Sequence, residues 1–393
     1  MDSYSKTGSL LERVRAVGAI IESEADLVEK QECITTRIQD ALVEHELYWI
    51  GLPPEFGGID ADFETCFEVI EEISRADGST GWCYFVNISS IGLILPFLDD
   101  RALAHIFPKG QRPIMAGQLV PRGRSEKVEG GYRCSGQHSF ASGSAYANWI
   151  CAAHFAFAGD KPVLRDDGTP QVTIAMMRSD EVVFRGNWDV MGLIGTSSVD
   201  FEIIDRIVPS ARVLDGSILL PGAVPLRGSA MLRMGPLPIG LSLHTACVIG
   251  IVKRAMQELI RLTSTKTRAG YDGPIGNDPV FLNQFATLDA DYHAVRGRVL
   301  DVFCKAEAKV EAGEPLTPLD RATMHQTCTW AHQKAVEIVS ACFRWAGTTP
   351  IRNPNALGRC LRDMLVANSH LLFDQKSLTA AGPELARNWQ RGG

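Results

Sequence analysis

Two segments rich in glycine and hydroxyl side chains are the parts of this 393-residue chain best suited to bind a flat ligand. They span residues 128–155 and 188–200. Glycine lets a ligand approach the backbone closely, and a hydroxyl group both donates and accepts hydrogen bonds. Either segment alone is equally typical of a hairpin or turn in an ordinary antiparallel sheet. The residues that could contact such a ligand are Phe140, Ser142, Gly143, Trp188, Thr196 and Ser198.

A histidine and an uncharged apolar segment are the other candidates. His370 falls in a pattern that predicts a helix, and its imidazole could accept a proton near neutral pH. A lone histidine on an apolar helix is more often a packing residue. Residues 81–98 carry no charge and approach the length of a membrane span, but their polar residues favour a buried helix beside a cavity. The residues of this helix that could line the cavity are Trp82, Tyr84, Phe85 and Asn87.

Other chemistries lack their usual patterns. The nine histidines form no His-Glu-x-x-His pair and the ten cysteines form no Cys-x-x-Cys pair, so a metal site is not expected. No Gly-x-Gly-x-x-Gly follows a predicted strand, which disfavours a nicotinamide-binding unit. A net charge of −7 without a run of basic residues argues against nucleic acid. Scattered cysteines and no apolar leader predict a cytoplasmic protein that does not span a membrane.

The hydrophobic periodicity predicts an α+β fold in three parts. We expect an N-terminal helical domain over residues 1–112, a central antiparallel β domain over 113–214 and a C-terminal four-helix bundle over 215–393. Within the β domain, residues 132–135 are predicted to form a strand that ends in a turn at Gly136, and residues 149–155 form a second strand. The predicted helices cover two stretches within 8–47, then 63–76, a helix beginning near Gly81, 101–106, 236–263, 281–312, 318–345 and 355–379.

Four blocks in sequence resemble the acyl-CoA dehydrogenase superfamily. Residues 54–58 (PEFGG) resemble its Pro-x-Glu-(Tyr/Phe)-Gly-Gly loop, one residue shorter. Residues 139–143 fall where the family places its flavin-binding strand, and residues 188–198 resemble its Trp…Met-Gly-x-x-Gly-Thr block. Arg362-Asp363 resembles the Arg-Asp pair of the last long helix. The resemblance covers almost the whole chain and implies the same helical, β, helical order.

One branch of that superfamily is a closer match. Where the dehydrogenases carry a catalytic glutamate, this chain has residues 369–372 (SHLL), and the nearest carboxylate is Asp374. The chain more closely resembles the oxygenase components of two-component (group D type) flavin-dependent aromatic monooxygenases, in residues 79–82, 130–143 and 188–200 and in His370. It departs from that branch in two ways. Ile194 stands where arginine is usual, and the second histidine expected on the helix after residue 82 is absent.

The resemblance implies that reduced flavin (FADH2 or FMNH2) from a separate NAD(P)H-dependent flavin reductase reacts with O2. A C4a-(hydro)peroxyflavin then hydroxylates a phenol- or indole-type aromatic substrate. It implies that Ser142 contacts flavin N5 and that His370 is the catalytic base. The six glycine, hydroxyl and aromatic residues above would bind the cofactor, and the four pocket residues the substrate. A homotetramer or homodimer is expected. An acyl-CoA dehydrogenase-like flavin dehydrogenase, an N-hydroxylase of the same branch and a non-catalytic helical scaffold remain alternatives.

Overall fold

The computed structural model describes residues 3–108 and 111–392. Its helices and strands follow the predicted order, with helices before and after one central sheet. The α+β fold class is therefore confirmed.

The N-terminal helices surround one almost completely buried helix. The helices are α1 (Ser3–Gln31), α2 (Thr36–Glu44), α3 (Phe63–Ala76), α4 (Gly78–Ile94) and α5 (Asp100–Ile106). Helix α4 begins three residues earlier than predicted, because the Asp77 carboxylate accepts a hydrogen bond from the Thr80 amide at 2.8 Å and caps it there. Nearly all of its residues are buried, which is why its sequence is apolar on every side.

Among the described residues, two helical segments are long and apolar enough to cross a membrane, Gly78–Phe97 and Pro236–Thr263. Each has 78% of its most apolar window buried inside the protein, as in the core helices of a globular fold.

A mixed sheet forms the centre of the described residues. Its strands are β1 (Met115–Gln118), β2 (Arg124–Val128), β3 (Gly131–His138), β4 (Trp149–Ala158), β5 (Lys161–Pro162), β6 (Val172–Arg178), β7 (Val183–Phe184), β8 (Phe201–Pro209) and β9 (Val213–Asp215). The main order is β7-β8-β3-β2-β4-β6-β9, and β1 and β5 also pair with β4. Most pairs are antiparallel as predicted, but β1 and β2 both run parallel to β4.

The turn predicted at Gly136 is wrong. Strand β3 continues through this residue to His138, and the pairing with β8 is irregular between Cys134 and Gly136. A side chain on Gly136 would lie 2.7 Å from the Gly123 Cα atom, so glycine is needed there because two backbone segments approach closely.

The C-terminal helices are α6 (Ala230–Arg233), α7 (Pro236–Thr263), α8 (Pro279–Glu311), α9 (Pro318–Ala346), α10 (Ala356–Ala367) and α11 (Gln375–Gln390). The single helix predicted over residues 355–379 is wrong, because a short 3-10 helix (Leu371–Phe373) separates α10 from α11. Asp374 begins α11 by accepting a hydrogen bond from the Lys376 amide at 2.8 Å. His370 consequently lies at a break between helices instead of inside one.

Helix α4 is the element that positions the candidate site. It packs against α3 and α7, and it also contacts β1 and the segment that contains Thr196. Residues on α4 therefore face both the two hydroxyl-rich segments and the C-terminal bundle.

Candidate functional site

The two hydroxyl-rich segments meet at a buried row of hydroxyl groups. The Ser142 Oγ atom lies 2.6 Å from Ser198 Oγ, and Ser198 Oγ lies 2.7 Å from Thr196 Oγ1. The indole nitrogen of Trp82 donates to Ser142 Oγ at 3.2 Å. The Trp82 indole can only donate, and the Thr196 hydroxyl donates to the Leu193 carbonyl at 2.8 Å. Each hydroxyl in the row therefore donates to the next, and the Ser142 oxygen is left to accept a hydrogen bond from a group placed beside it.

Asn87 holds the Ser142 turn in place. Its side-chain amide donates to the Met115 carbonyl at 3.0 Å and to the Gly143 carbonyl at 3.1 Å. Gly143 has a φ of +70°, and a Cβ atom there would lie 2.9 Å from the Asn87 amide nitrogen. Only glycine fits both constraints without strain. The structure thus places Asn87, predicted to line the substrate pocket, as a support of the turn.

The second hydroxyl-rich segment is held from two sides. The Asp363 carboxylate on α10 accepts a hydrogen bond from the Leu193 amide at 2.6 Å. On the other side, a Cβ atom on Gly195 would lie 2.2 Å from Val28 of α1, so α1 packs directly against the segment. The Arg-Asp pair of the sequence analysis therefore has a physical role. Its aspartate fixes the conformation of the loop that carries Thr196 and Ser198.

A buried charge network surrounds that aspartate. The pKa of Asp363 is raised to about 7, because burial and the neighbouring Asp77 carboxylate both disfavour a second negative charge. Arg359 partly offsets the negative charge of these carboxylates, since its guanidinium lies 3.5 Å from Asp77 and 2.9 Å from Asp26 on α1. The network connects α1, α4 and α10 beneath the loop.

Two aromatic side chains lie at the outer edge of the hydroxyl row. Phe140 has a φ of +64° and is 61% exposed, and its ring meets that of Trp188 edge-on at 6.3 Å. The Trp188 indole donates to the Ile194 carbonyl at 2.9 Å, which fixes its position. The structure therefore brings all six residues predicted to contact the cofactor to one region of the molecule.

The histidine at the helix break belongs to a cluster of three. The ring centroid of His370 lies 4.9 Å from that of His244 on α7, and His244 lies 4.9 Å from His332 on α9. Trp82 is 4.5 Å from His244 and 6.2 Å from His370. Sequence reasoning missed His244 and His332 as site residues. His244 is the single histidine of α7, His332 shares α9 with His325, and no local pattern distinguishes either from a packing residue.

The cluster is enclosed by apolar rings and is held neutral by burial. Phe85 lies 5.2 Å from His244, and Phe373 stacks on His332 at 3.6 Å. Burial lowers the pKa of His370 to about 4 and that of His332 to about 3. The pKa of His244 lies well below its ordinary value because of burial and the two neighbouring imidazoles.

The His370 ring has a defined orientation. Its Nδ1 atom accepts a hydrogen bond from the Leu372 amide at 3.4 Å and so caps the short 3-10 helix. When one ring nitrogen accepts a bond, the proton of a neutral imidazole resides on the other nitrogen. Neutral His370 therefore carries its proton on Nε2 and acts there as a hydrogen-bond donor.

Tyr84 lies outside the group formed by Trp82 and Phe85. Residues two apart on a helix point in different directions, and the Tyr84 side chain is fully buried in the N-terminal core. Its hydroxyl donates to the Leu47 carbonyl at 2.8 Å and its ring packs on Tyr48. The prediction that Tyr84 lines the pocket with Trp82 and Phe85 does not agree with this position.

The region fits a reduced flavin better than a metal ion. Among the described residues, no group of three histidine, cysteine or acidic side chains is arranged to hold a metal. The Ser142 oxygen, at one end of the hydroxyl row, can accept a hydrogen bond from the edge of a flat heterocycle. Phe140 and Trp188 supply an apolar wall.

Comparison with known proteins agrees with this assignment. Family models of the acyl-CoA dehydrogenase N-terminal domain and C-terminal domain match residues 10–109 and 242–375, and together they cover more than half of the chain. The indole-3-acetate monooxygenase of Pseudomonas putida is 26% identical over 90% of this chain and 87% of its own length. The flavin-dependent monooxygenase oxygenase subunit HsaA of Rhodococcus jostii is 23% identical over 93% of this chain and 94% of its own length.

A solved structure gives the same result for the fold. XiaF from a Streptomyces species, in complex with FADH2 and glycerol, superposes with a TM-score of 0.88 over 98% of both chains at 17% identity. The chain therefore belongs to the acyl-CoA dehydrogenase superfamily, in the branch of the flavin-dependent monooxygenases.

Proposed function

We propose that this chain is the oxygenase component of a two-component monooxygenase that uses reduced flavin and O2 to hydroxylate a flat aromatic compound of the phenol or indole type. The observation that carries the proposal is the connection of the hydroxyl row to the aromatic cluster through Trp82. This residue donates to Ser142 and contacts the His244 ring. One side chain thus touches both the proposed flavin region and the proposed substrate region.

The residues have distinct roles in this proposal. Bound reduced flavin supplies the electrons that activate O2 for transfer of one oxygen atom to an aromatic ring. Ser142 holds a hydrogen bond at the N5 edge, supported by Ser198, while Trp82 and Phe85 exclude water from the reacting ring. His370 holds the polar group of the substrate at its Nε2 atom.

The dehydrogenase alternative requires a carboxylate that can remove a proton from the substrate. The two carboxylates nearest to His370 in the sequence are already engaged, since Asp363 binds the Leu193 amide and Asp374 caps α11. Leu371 and Leu372 occupy the positions at which the resemblance places the dehydrogenase base. A hydrocarbon side chain has no lone pair to accept a proton.

The electron source is proposed to be a separate NAD(P)H-dependent flavin reductase. HsaA is described as an oxygenase subunit, a term that implies a partner component.

We also propose a cytoplasmic homotetramer or homodimer. For the localisation, the ten cysteines are free thiols, most of them buried, as expected in a reducing compartment. For the oligomer, α7 and α8 form a surface groove whose apolar part is lined by Met256, Ile260, Phe285 and Tyr292. Light scattering on the purified protein measures the oligomeric state.

The decisive experiment supplies the protein with reduced FMN or FAD and ¹⁸O2 in the presence of phenols and indoles. We expect one labelled oxygen atom in the aromatic product, measured by mass spectrometry. Oxidation of the flavin with no labelled product from any member of the panel would contradict the proposal. Bleaching of bound oxidised flavin by an acyl thioester would support the dehydrogenase instead.

A matched pair of serine variants tests the hydroxyl row. We expect Ser142→Ala to lower the yield of product per reduced flavin roughly tenfold and to raise H2O2 release, because a hydrogen bond at the reacting edge is lost. Ser125→Ala is the control, since Ser125 is also buried and its hydroxyl forms a hydrogen bond with the Thr173 hydroxyl at 2.7 Å within the sheet. An equal yield from the two variants would refute the role of Ser142.

A further inference from the structure

The cluster of three imidazoles contains a group for which the proposed function has no role. His244 is 2% exposed, and neither of its ring nitrogens has a hydrogen-bond partner among residues 3–108 and 111–392. A buried polar nitrogen without a partner is costly, so a ligand that satisfies it gains affinity. Its ring contacts both Trp82 and His370, at centroid distances of 4.5 and 4.9 Å.

We propose that His244 is the hydrogen-bond acceptor for a hydroxyl group on the substrate, and that His370 is the donor to the same oxygen atom. This inference rests on the proposed function and narrows its substrate class to flat aromatic compounds that carry a hydroxyl group. The roles differ from the sequence-based expectation, in which His370 alone removes the substrate proton.

The donor role of His370 follows from its capping contact. The Leu372 amide occupies Nδ1, which leaves the proton of the neutral ring on Nε2. A nitrogen that carries a proton cannot accept another one. The proton of the substrate therefore needs a second group with a bare nitrogen.

The surroundings of His244 leave it neutral, and a neutral imidazole always has one bare nitrogen. The titratable groups that face it are His332 from α9 and His370 from the helix break, both of which are themselves neutral. Cys328, also on α9, is a buried thiol whose pKa is raised to about 12. Helix α4 presents the indole of Trp82 and the ring of Phe85 to it, and neither titrates.

The proton transfer balances between the substrate and His244, and the oxygen atom would come from bound reduced flavin and O2, as in the proposed function. The substrate hydroxyl donates to the bare nitrogen of His244 while its oxygen accepts from His370 Nε2. The O–H bond breaks, the proton forms an N–H bond on His244, and the electron pair stays on the substrate oxygen, where it makes the ring more electron-rich for reaction with that oxygen atom. An indole N–H can donate to His244 but offers no lone pair to His370, so a hydroxyl group uses both imidazoles and an indole uses one.

This arrangement also accounts for a departure noted in the sequence. The second histidine expected on the helix after Trp82 is missing. In the structure, an imidazole from α7 contacts that same tryptophan at 4.5 Å. The region thus has a second imidazole beside Trp82, although it comes from a different helix.

Binding of two probes to the flavin-loaded enzyme tests the proposal. The probes are 2-naphthol and 2-methoxynaphthalene, in which a methyl group replaces the hydroxyl proton, and their dissociation constants are measured by fluorescence. We expect the wild-type protein to bind 2-naphthol about tenfold more tightly, the effect of one hydrogen bond. His244→Phe keeps a ring but removes the acceptor, so the ratio should fall to about one. His244→Gln supplies an amide oxygen as the acceptor and should restore part of the preference for 2-naphthol.

The control variant is His154→Phe. His154 is another fully buried histidine whose ring nitrogens have no partner among the described residues, but it lies in strand β4. It should retain the wild-type ratio. An unchanged ratio in His244→Phe, or a wild-type protein without preference for 2-naphthol, would overturn the proposal. If labelled oxygen still enters an aromatic product, the proposed function stands while this inference fails. If no aromatic compound acquires label, the proposed function itself fails.

Discussion

Replacing Gly143 with alanine should disturb the cofactor region more than a similar change elsewhere. Its φ of +70° costs a residue with a side chain about 1–2 kcal/mol. The new Cβ atom would also lie 2.9 Å from the Asn87 amide nitrogen and 3.1 Å from the Cys83 carbonyl oxygen. Asn87 must then move, which weakens two hydrogen bonds worth about 0.5–1.5 kcal/mol each. We expect a total loss of about 2–5 kcal/mol in the free energy of unfolding.

Gly130→Ala is the matched control for this variant. Gly130 has a φ of +86°, but no atom lies within 4 Å of a Cβ at that position, so only the conformational cost applies. Urea denaturation at equal protein concentration measures both variants, and the dissociation constant of reduced flavin measures the effect on the site. Gly143→Ala should lower both stability and flavin affinity, whereas Gly130→Ala should lower stability alone. Equal effects of the two substitutions on both quantities would refute the assigned role of Asn87.

Two further predictions concern buried polar groups. Asn87→Leu leaves the Met115 and Gly143 carbonyls without their donor and should lower the free energy of unfolding by about 1–3 kcal/mol, measured by urea denaturation. An unchanged denaturation midpoint would contradict the supporting role of Asn87. Burial lowers the pKa of His332 to about 3, against an ordinary value of about 6.5 in the unfolded chain. The unfolded state therefore binds more protons between these values, and stability falls as pH decreases through that window. His332→Phe should reduce the loss of stability between pH 7 and pH 5 by about 2 kcal/mol, and an equally steep loss would show that His332 is not held neutral.

The sequence was sufficient for the fold class and for the two hydroxyl-rich segments. Glycine, hydroxyl and aromatic residues at fixed spacing are local features, and local features survive in a sequence without knowledge of the tertiary structure. The Ser142 and Ser198 hydroxyl groups are 2.6 Å apart although 56 positions separate them. Their proximity was expected only through resemblance to a family.

The remainder of the site depends on contacts between distant helices. His244, His332 and His370 come from α7, α9 and the break before α11, and no periodicity relates them. The helix break was missed because residues 371–373 are apolar like α10 before them. The capping contacts of His370 and Asp374 that end one helix and begin the next are visible only in three dimensions. Tyr84 was misplaced because apolar residues surround it on every side of α4, so the sequence does not indicate which face meets the ligand.

The loop that carries Thr196 has a consequence for the order in which the protein matures. It is fixed by Asp363 near the C-terminal end and by Val28 near the N-terminal end. During synthesis, the loop leaves the ribosome long before the helix that contains Asp363 does. The cofactor region must therefore be completed last, after nearly the entire chain has been made. Acquisition of flavin then reports that folding has finished, and a chain truncated before α10 should retain the sheet and yet fail to bind its cofactor.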